Sequence, residues 1–285
     1  IANQILAIRS NVEPFHAMDV LAKANAMRQN GADIAYLCVG QPSAPLPAAA
    51  RQAAVNHLEG SAIGYTDAAG RADLRERLAR HVEEAYGTTV DPPRLFVTTG
   101  SSAGFILAFL ALFDPGDTVA IATPGYPAYR NILKALSLDI EEIETVAEDG
   151  WILTPQLVRA AHARKPLSGL LVASPANPTG TMMSGEALQE LIACCEELGI
   201  QFISDEIYHG LTYPEETGIA EVSALQFSDK AIIINSFSKY FCMTGWRVGW
   251  MVLPPELIRP VERLSQSLYI SAPELSQVAG LHALD

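Results

Sequence analysis

The stretch SFSKYFCMTGWRVGW, residues 236–250, decides how this chain is read. Just before it, AIIIN (231–235) is a continuous apolar run with the length and β-branching of a buried strand. Small hydroxyl residues follow at once, then Lys239, with Arg247 eight residues further on. A lysine at the C-terminal end of a strand stands where open α/β sheets place their ligands. Partial removal from water lowers an amine's pKa and makes its neutral form available to attack a carbonyl. Arg247 belongs to a second apolar run, WRVGWMVL (246–253), and its planar guanidinium suits a phosphate dianion. An aldehyde that also carries a phosphate fits both groups.

Pyridoxal 5′-phosphate (PLP) is such a compound, and Lys239 is read as its covalent anchor. Working back along the chain, apolar runs alternate with helical patterns from residue 94 onward. RLFVTT (94–99), DTVAIA (117–122), the weaker DIEEIET (139–145), GLLVAS (169–174), IQFISD (200–205) and AIIIN read as strands. Helical patterns lie between them at 102–113, 126–137, 155–164 and 184–198. This alternation predicts a three-layer α/β fold with a mostly parallel central sheet covered on both faces. Upstream, residues 14–30 read as an amphipathic helix stopped by Gly31, DIAYLCVG (33–40) as a strand, and 47–59 and 70–86 as helices. The loop GSAIGYTDAAG (60–70) is rich in small residues and suits a position across an interface. No GxGxxG follows the first strand of the alternation, which counts against a nicotinamide-binding domain.

Composition narrows the class. The 285 residues carry a formal net charge of -13, which argues against a nucleic-acid-binding surface. There is no run of 18 apolar residues and no basic segment leading into an apolar one, so a soluble, cytoplasmic protein is expected. Cys38, Cys194, Cys195 and Cys242 have no metal-ligand spacing and read as reduced thiols, and no metal is expected.

The ends of the predicted strands supply further chemistry. After RLFVTT come Gly100, Ser101 and Ser102 opening a helix, a combination of free N–H groups and hydroxyls suited to phosphate. Tyr126 lies just beyond the next strand, where an aromatic face can stack on a planar ring. Asn177 sits between two prolines in SPANPTG, a rigid turn able to aim its amide. Asp205 closes a strand, and a half-buried carboxylate there needs a donor or cationic partner such as a pyridinium N–H. Tyr208, three residues on, can donate to a phenolate oxygen. Taken singly, each has an ordinary use: Ser101, Ser102 and Asp205 as helix caps, Tyr126 and Tyr208 as packed aromatics, Asn177 as a turn residue.

Together, in order, VGQPSAPLP, YTDAAG, TTGSSAGF, PGYPAY, SPANPTG, SDEIYHG and SFSKYFCMTGWRVGW resemble the class I/II aminotransferases, the fold-type I PLP enzymes, over nearly the whole chain. The resemblance implies that Lys239 forms a Schiff base with PLP and serves as general base and acid. It implies that Asp205 pairs with the pyridine nitrogen, Asn177 and Tyr208 hold the ring oxygen, and Tyr126 stacks on the ring. Ser101, Ser102, Ser236, Ser238 and Arg247 fall at phosphate-binding positions, Ser238 at one that varies in the family. Tyr65 matches the tyrosine that reaches a partner subunit's phosphate, which implies a homodimer. Gly40 and Asn177 would lie beside the substrate, an L-amino acid or a 2-oxo acid.

The expected organisation is an N-terminal arm and start of a small domain over residues 1–39, then the large PLP-binding domain over 40–285. In the family, a further C-terminal segment completes the small domain and carries the arginine that clamps the substrate carboxylate. No residue here matches it, so the sequence reads as a fragment of a longer protein. The side chain of the amino acid is left open, with a neutral or aromatic one preferred. Lyases, decarboxylases and other PLP enzymes share these motifs. A non-enzymatic regulatory domain is the alternative from another class; its usual basic DNA-binding module has no counterpart here.

Overall fold

The structure is a computed structural model that describes residues 6–285. Its frame is one seven-stranded sheet formed by β1 (Leu95–Thr98), β2 (Thr118–Thr123), β3 (Asp139–Glu144), β4 (Gly169–Ala173), β5 (Gln201–Asp205), β6 (Ile232–Ser236) and β7 (Gly249–Val252). The strands lie in the order β1-β7-β6-β5-β4-β2-β3, all parallel except β7, which runs antiparallel to β1 and β6. The helices are α1 (His16–Gln29), α2 (Ala48–Gly60), α3 (Ala72–Tyr86), α4 (Gly100–Leu112), α5 (Pro127–Ala135), α6 (Pro155–Arg164) and α7 (Gly185–Leu198). The single turn α8 (Pro214–Thr217), then α9 (Pro255–Leu268) and α10 (Glu274–Ala283), complete the set among the described residues.

The central strands are apolar on both faces because both faces are covered. Alternate residues divide between two cores. Leu95, Val97, Leu170, Val172, Ile233, Trp250 and Val252 pack with α2, α3, α6, α7 and α10. Phe96, Leu171, Ile232, Ile234 and Met251 pack with α4, α5 and α9. β3, with the sequence DIEEIE, lies at one edge, and its acidic side chains pair with Arg130, Arg164 and Lys165 rather than entering a core. Charged side chains of this kind also keep an edge strand from pairing with other chains.

Helix starts follow local chemistry. Pro127, Pro155 and Pro255 occupy first-turn positions, where the missing N–H costs nothing. Thr154 and Ser184 cap α6 and α7 by accepting from the N–H of Leu157 and Ala187 at 3.4 and 3.2 Å.

The segment 33–40, expected as a strand, forms none. It joins neither edge of the sheet, β1 or β3, and Leu37 is left 94% exposed. The helix expected at 102–113 begins earlier, at Gly100, and the run 246–253 yields a strand only over its last residues.

The topology gathers the site. In the register, Ala173 stands beside Asp205 and Asp205 beside Ile234, which aligns the C-terminal ends of β4, β5 and β6. Because β7 is reversed, Gly249 pairs with both Thr98 and Ser236, so the residues preceding β7 lie at that same edge.

Candidate active site

Beyond β6 the chain turns, anchored by the fully buried Phe237, whose ring lies 4.9 Å from that of Trp250. Ser236 Oγ donates to Ser238 Oγ at 2.8 Å and accepts from the Ser238 N–H at 3.0 Å, which closes the turn. Lys239 leaves this turn half-buried, its Nζ 2.6 Å from the Gly40 carbonyl oxygen and 5.8 Å from the centre of the Tyr208 ring. Burial, and then the positive charge of Arg247, pull the Lys239 pKa down. Its neutral amine is therefore present at lower pH than on an exposed lysine.

Asp205 is 1% exposed. Its Oδ2 accepts from the Tyr129 hydroxyl and its Oδ1 from the Ile207 N–H at 3.1 Å. Burial pushes the carboxyl up to about 6, against the opposing pull of these two donors. Burial also holds the Tyr129 hydroxyl well above its ordinary range, so it remains a neutral donor. Among the described residues the carboxylate thus has hydrogen bonds but no salt-bridge partner.

The turn that carries Asn177 is closed by the N–H of Ala176 on the Thr181 carbonyl at 2.9 Å and the N–H of Gly180 on the Ala176 carbonyl at 2.8 Å. From it, Asn177 Nδ2 donates to the Tyr208 hydroxyl at 3.1 Å. Tyr126, immediately before α5, packs edge-on against Tyr129 at 5.3 Å and against Phe15 of the N-terminal segment at 5.6 Å.

The start of α4 has no side-chain cap, so the N–H groups of its first turn stay open to a ligand. The Arg247 guanidinium lies directly over Gly100, where a Cβ would collide with it, and Arg247 Nη1 donates to the Thr244 carbonyl at 2.9 Å. Gly100 also has a φ of +70°, a conformation that disfavours any side chain. Gly249 likewise allows close approach: a Cβ there would sit 3.1 Å from the Ser101 nitrogen. Ser101, Ser102, Arg247 and the Ser236–Ser238 turn thereby share one corner of the sheet edge, with helix-terminal N–H groups and a fixed cation suited to a dianion.

Of the residues singled out from the sequence, Lys239, Gly40 and Tyr208 are brought together, as are Asn177 with Tyr208 and Arg247 with the α4 N-terminus. Tyr65 stands apart at 82% exposed on the loop between α2 and α3. Tyr129 was missed. The signal for it lay in PGYPAY, where two tyrosines three residues apart at a helix start share a face. His209, next to Tyr208 and 8% exposed, was also passed over.

The family model described as aminotransferase class I and II matches residues 32–285. A valine–pyruvate aminotransferase of Mycobacterium tuberculosis is 45% identical over 280 residues, which cover 98% of this chain and 71% of that protein. An aspartate aminotransferase of Thermotoga maritima is 32% identical over 94% of this chain and 71% of its own length. The crystal structure of an aminotransferase from M. tuberculosis superimposes with a TM-score of 0.93 at 44% identity, over 98% of this chain and 71% of that one. The aspartate aminotransferase of Thermus thermophilus with maleate gives a TM-score of 0.92 at 31% identity, over 98% and 72%. The chain belongs to the class I and II aminotransferase family.

Proposed function

We propose that this aminotransferase holds PLP on Lys239 and moves an amino group between a neutral, apolar L-amino acid and a 2-oxo acid. The single observation that supports the cofactor reading best is the pairing of an uncapped, 13-residue helix start under Arg247 with a buried, cation-lacking Asp205 on the same sheet edge. The residues present fit the group. The α4 N–H groups, Ser101, Ser102, Ser236, Ser238 and Arg247 would hold a phosphate, Asp205 a ring N–H, and Asn177 with Tyr208 a phenolic oxygen. Tyr126 would cover the ring face.

The cofactor supplies an aldehyde for amines and an electron-withdrawing ring. The chain's residues do the rest. Asp205, a buried carboxylate that only hydrogen bonds stabilise, would favour a protonated ring nitrogen. Lys239, with its lowered pKa, is the group suited to take a proton from the substrate Cα and return it. Asn177 orients the ring oxygen and the substrate beside it, and Gly40 lines the substrate side of Lys239.

Residues 40–285 are read as the cofactor-holding domain and the preceding segment, from residue 1, as an arm whose first five residues lie outside the described ones. The arm's contact with α5 supports this, through Asn131 Nδ2 donating to the Glu13 carbonyl at 3.0 Å. A homodimer in which Tyr65 reaches the partner's phosphate accords with the exposure of that side chain. The four free cysteines accord with a cytoplasmic location, and among the described residues no helix is long and apolar enough to cross a membrane. The preference for an apolar amino acid rests on the higher identity to a valine–pyruvate enzyme than to aspartate enzymes.

Borohydride reduction of the PLP-loaded protein followed by peptide mapping tests the anchor. Label on Lys239, lost in Lys239→Ala with turnover, is expected; label elsewhere refutes the assignment. Valine and alanine should be converted to oxo acids faster than aspartate. Release of ammonia or a thiol in place of amino transfer would point to lyase chemistry instead.

A further inference from the structure

Behind the Asn177–Tyr208 pair lies a buried polar cluster that the site described above does not use. Glu206, 2% exposed, accepts through Oε1 from Ser204 Oγ at 3.0 Å, Ser223 Oγ at 3.1 Å and the Ala224 N–H at 2.9 Å. Its Oε2 lies 3.5 Å from His209 Nδ1. His209 Nδ1 is also 2.6 Å from the Tyr86 hydroxyl at the end of α3, and Nε2 is 3.0 Å from the Ser174 carbonyl oxygen. A carbonyl can only accept, so Nε2 carries the hydrogen. Glu221 closes the outer side, accepting from the Gly210 N–H at 2.7 Å and from Thr212 Oγ1 at 3.0 Å.

Burying this many polar groups is costly unless each is paired, and an apolar core would fill the same space at no such cost. What the cluster joins is specific. Ser174 opens the turn that carries Asn177, three residues later, and its own Oγ accepts from the Met183 N–H at 3.0 Å. His209 directly follows Tyr208. The imidazole, beside the Ser174 N–H on the Asp205 carbonyl at 3.3 Å, is therefore a side-chain cross-link between the two backbone segments whose side chains meet in the Asn177–Tyr208 hydrogen bond. The Tyr86 hydroxyl, held above its ordinary pKa by burial, keeps the ring from turning.

We propose that His209 is a positioning residue: its Nε2–H, clamped on the Ser174 carbonyl, fixes the spacing of Asn177 and Tyr208 around the ring oxygen of the cofactor. The proposal rests on the PLP reading above, and supporting residues of this kind commonly tune the groups that touch a ligand.

Two substitutions separate this role from mere filling of space. In His209→Gln the side-chain amide reaches about as far as the imidazole Nε2 and can keep the bond to Ser174. In His209→Asn it reaches only as far as Nδ1 and cannot. Donors to a phenolate lower its pKa, so misplacing Asn177 and Tyr208 raises the pH midpoint at which the visible absorption of bound PLP changes. The expected result for His209→Asn is an upward shift of that midpoint and a roughly tenfold weaker PLP affinity, about 1.4 kcal/mol. His209→Gln should stay within about twofold of the natural protein, a difference of less than half a kcal/mol. Equal midpoints and affinities in the two variants would overturn the proposal. Tyr86→Phe, which keeps the ring volume, should move the midpoint in the same direction, and an unmoved midpoint there counts equally against it. Amide hydrogen exchange in the PLP-free protein gives an independent reading. Exchange at Ala176, Gly180 and Met183 should rise in His209→Asn and not in His209→Gln, and equal exchange refutes the clamp. If the natural protein binds no PLP, the cofactor reading fails, while the exchange result still decides whether His209 holds the turn.

Discussion

The Tyr129 hydroxyl donates to Asp205 Oδ2 with both side chains almost wholly removed from solvent. A neutral phenol can orient a carboxylate but brings no positive charge to it. Burial, which these two donors only partly offset, leaves Asp205 with a pKa of about 6. The chain has thus built a carboxylate whose own partners only partly stabilise its charge and which gains most from a cation arriving with a ligand.

Tyr129→Phe should therefore make Asp205 harder to ionise. The Tyr129 hydrogen bond lowers the Asp205 pKa, so its loss moves that pKa further up. In the cofactor-free protein the Asp205 carboxyl, followed by 13C NMR of labelled aspartate, should titrate at higher pH in Tyr129→Phe than in the natural protein. An unmoved titration would show that the Tyr129 hydroxyl does not stabilise the charged form of Asp205.

Asp205→Asn should stabilise the cofactor-free protein at neutral pH while weakening PLP binding. The folded-state pKa of about 6 lies above the ordinary 3.8, so the folded protein binds more protons between those values. The Asp205 contribution to stability is then most favourable below about pH 4, falls as pH rises to about 6, and stays low above it. Removing the charge should recover about 1–3 kcal/mol at pH 7.5 and little at pH 4. Urea unfolding at the two pH values measures this, and a variant less stable at pH 7.5 would contradict the cost assigned to Asp205.

Much of this arrangement was legible in the sequence because it is local. The strands β1, β2, β4, β5 and β6 are short apolar runs whose ends carry Gly100, Tyr126, Asn177, Asp205 and Lys239, and the parallel topology brings those ends together. What pattern could not convey was pairing across distance. The apolar run in 33–40 resembles a strand, yet it joins no strand of the sheet, and its last residue instead faces Lys239 through the Gly40 carbonyl. The Tyr129–Asp205 contact joins residues 76 apart, and the Tyr86–His209 contact residues 123 apart. PGYPAY sets Tyr126 and Tyr129 on one face, but nothing in either spacing names Asp205 or His209 as the partner.

Gly100→Ala and Arg247→Ala test the phosphate corner from opposite sides. Alanine at 100 would carry its methyl into the Arg247 guanidinium and require a φ of +70°, at a cost of about 1–3 kcal/mol in backbone strain alone. Removing the Arg247 guanidinium should weaken PLP binding by about 1.5–3 kcal/mol, the range for hydrogen bonds to charged groups. Both variants should bind PLP less tightly but pyridoxal, which lacks the phosphate, no less tightly than the natural protein in the case of Arg247→Ala. Equal losses for the two ligands in Arg247→Ala would remove Arg247 from the phosphate site.

Gln277→Leu tests how the loop bearing Tyr65 is held. Gln277 is fully buried in α10, its Oε1 accepting from the Arg71 N–H at 2.8 Å and its Nε2 donating to Thr66 Oγ1 at 3.0 Å and the Ala272 carbonyl at 2.9 Å. Glu274, one turn earlier, accepts from the Gly64 N–H at 2.7 Å, so one face of α10 fastens both ends of the segment 64–71. Leucine fills most of the space but leaves the Arg71 N–H and the Ala272 carbonyl without partners, which costs about 2–4 kcal/mol for two buried groups. Stability should fall by that amount in urea unfolding. Amide exchange should rise over 64–71 ahead of global unfolding, because the loop loses its fastening while the sheet behind it does not. Gln277→Glu keeps an acceptor for the Arg71 N–H and loses both donated bonds, so the Arg71 amide should stay protected in Gln277→Glu and exchange faster in Gln277→Leu. If Tyr65 serves a partner's phosphate, both variants should also weaken PLP binding in the assembled protein. A loop that exchanges no faster in either variant would mean that the segment is held by its packing on Val97 and not by α10.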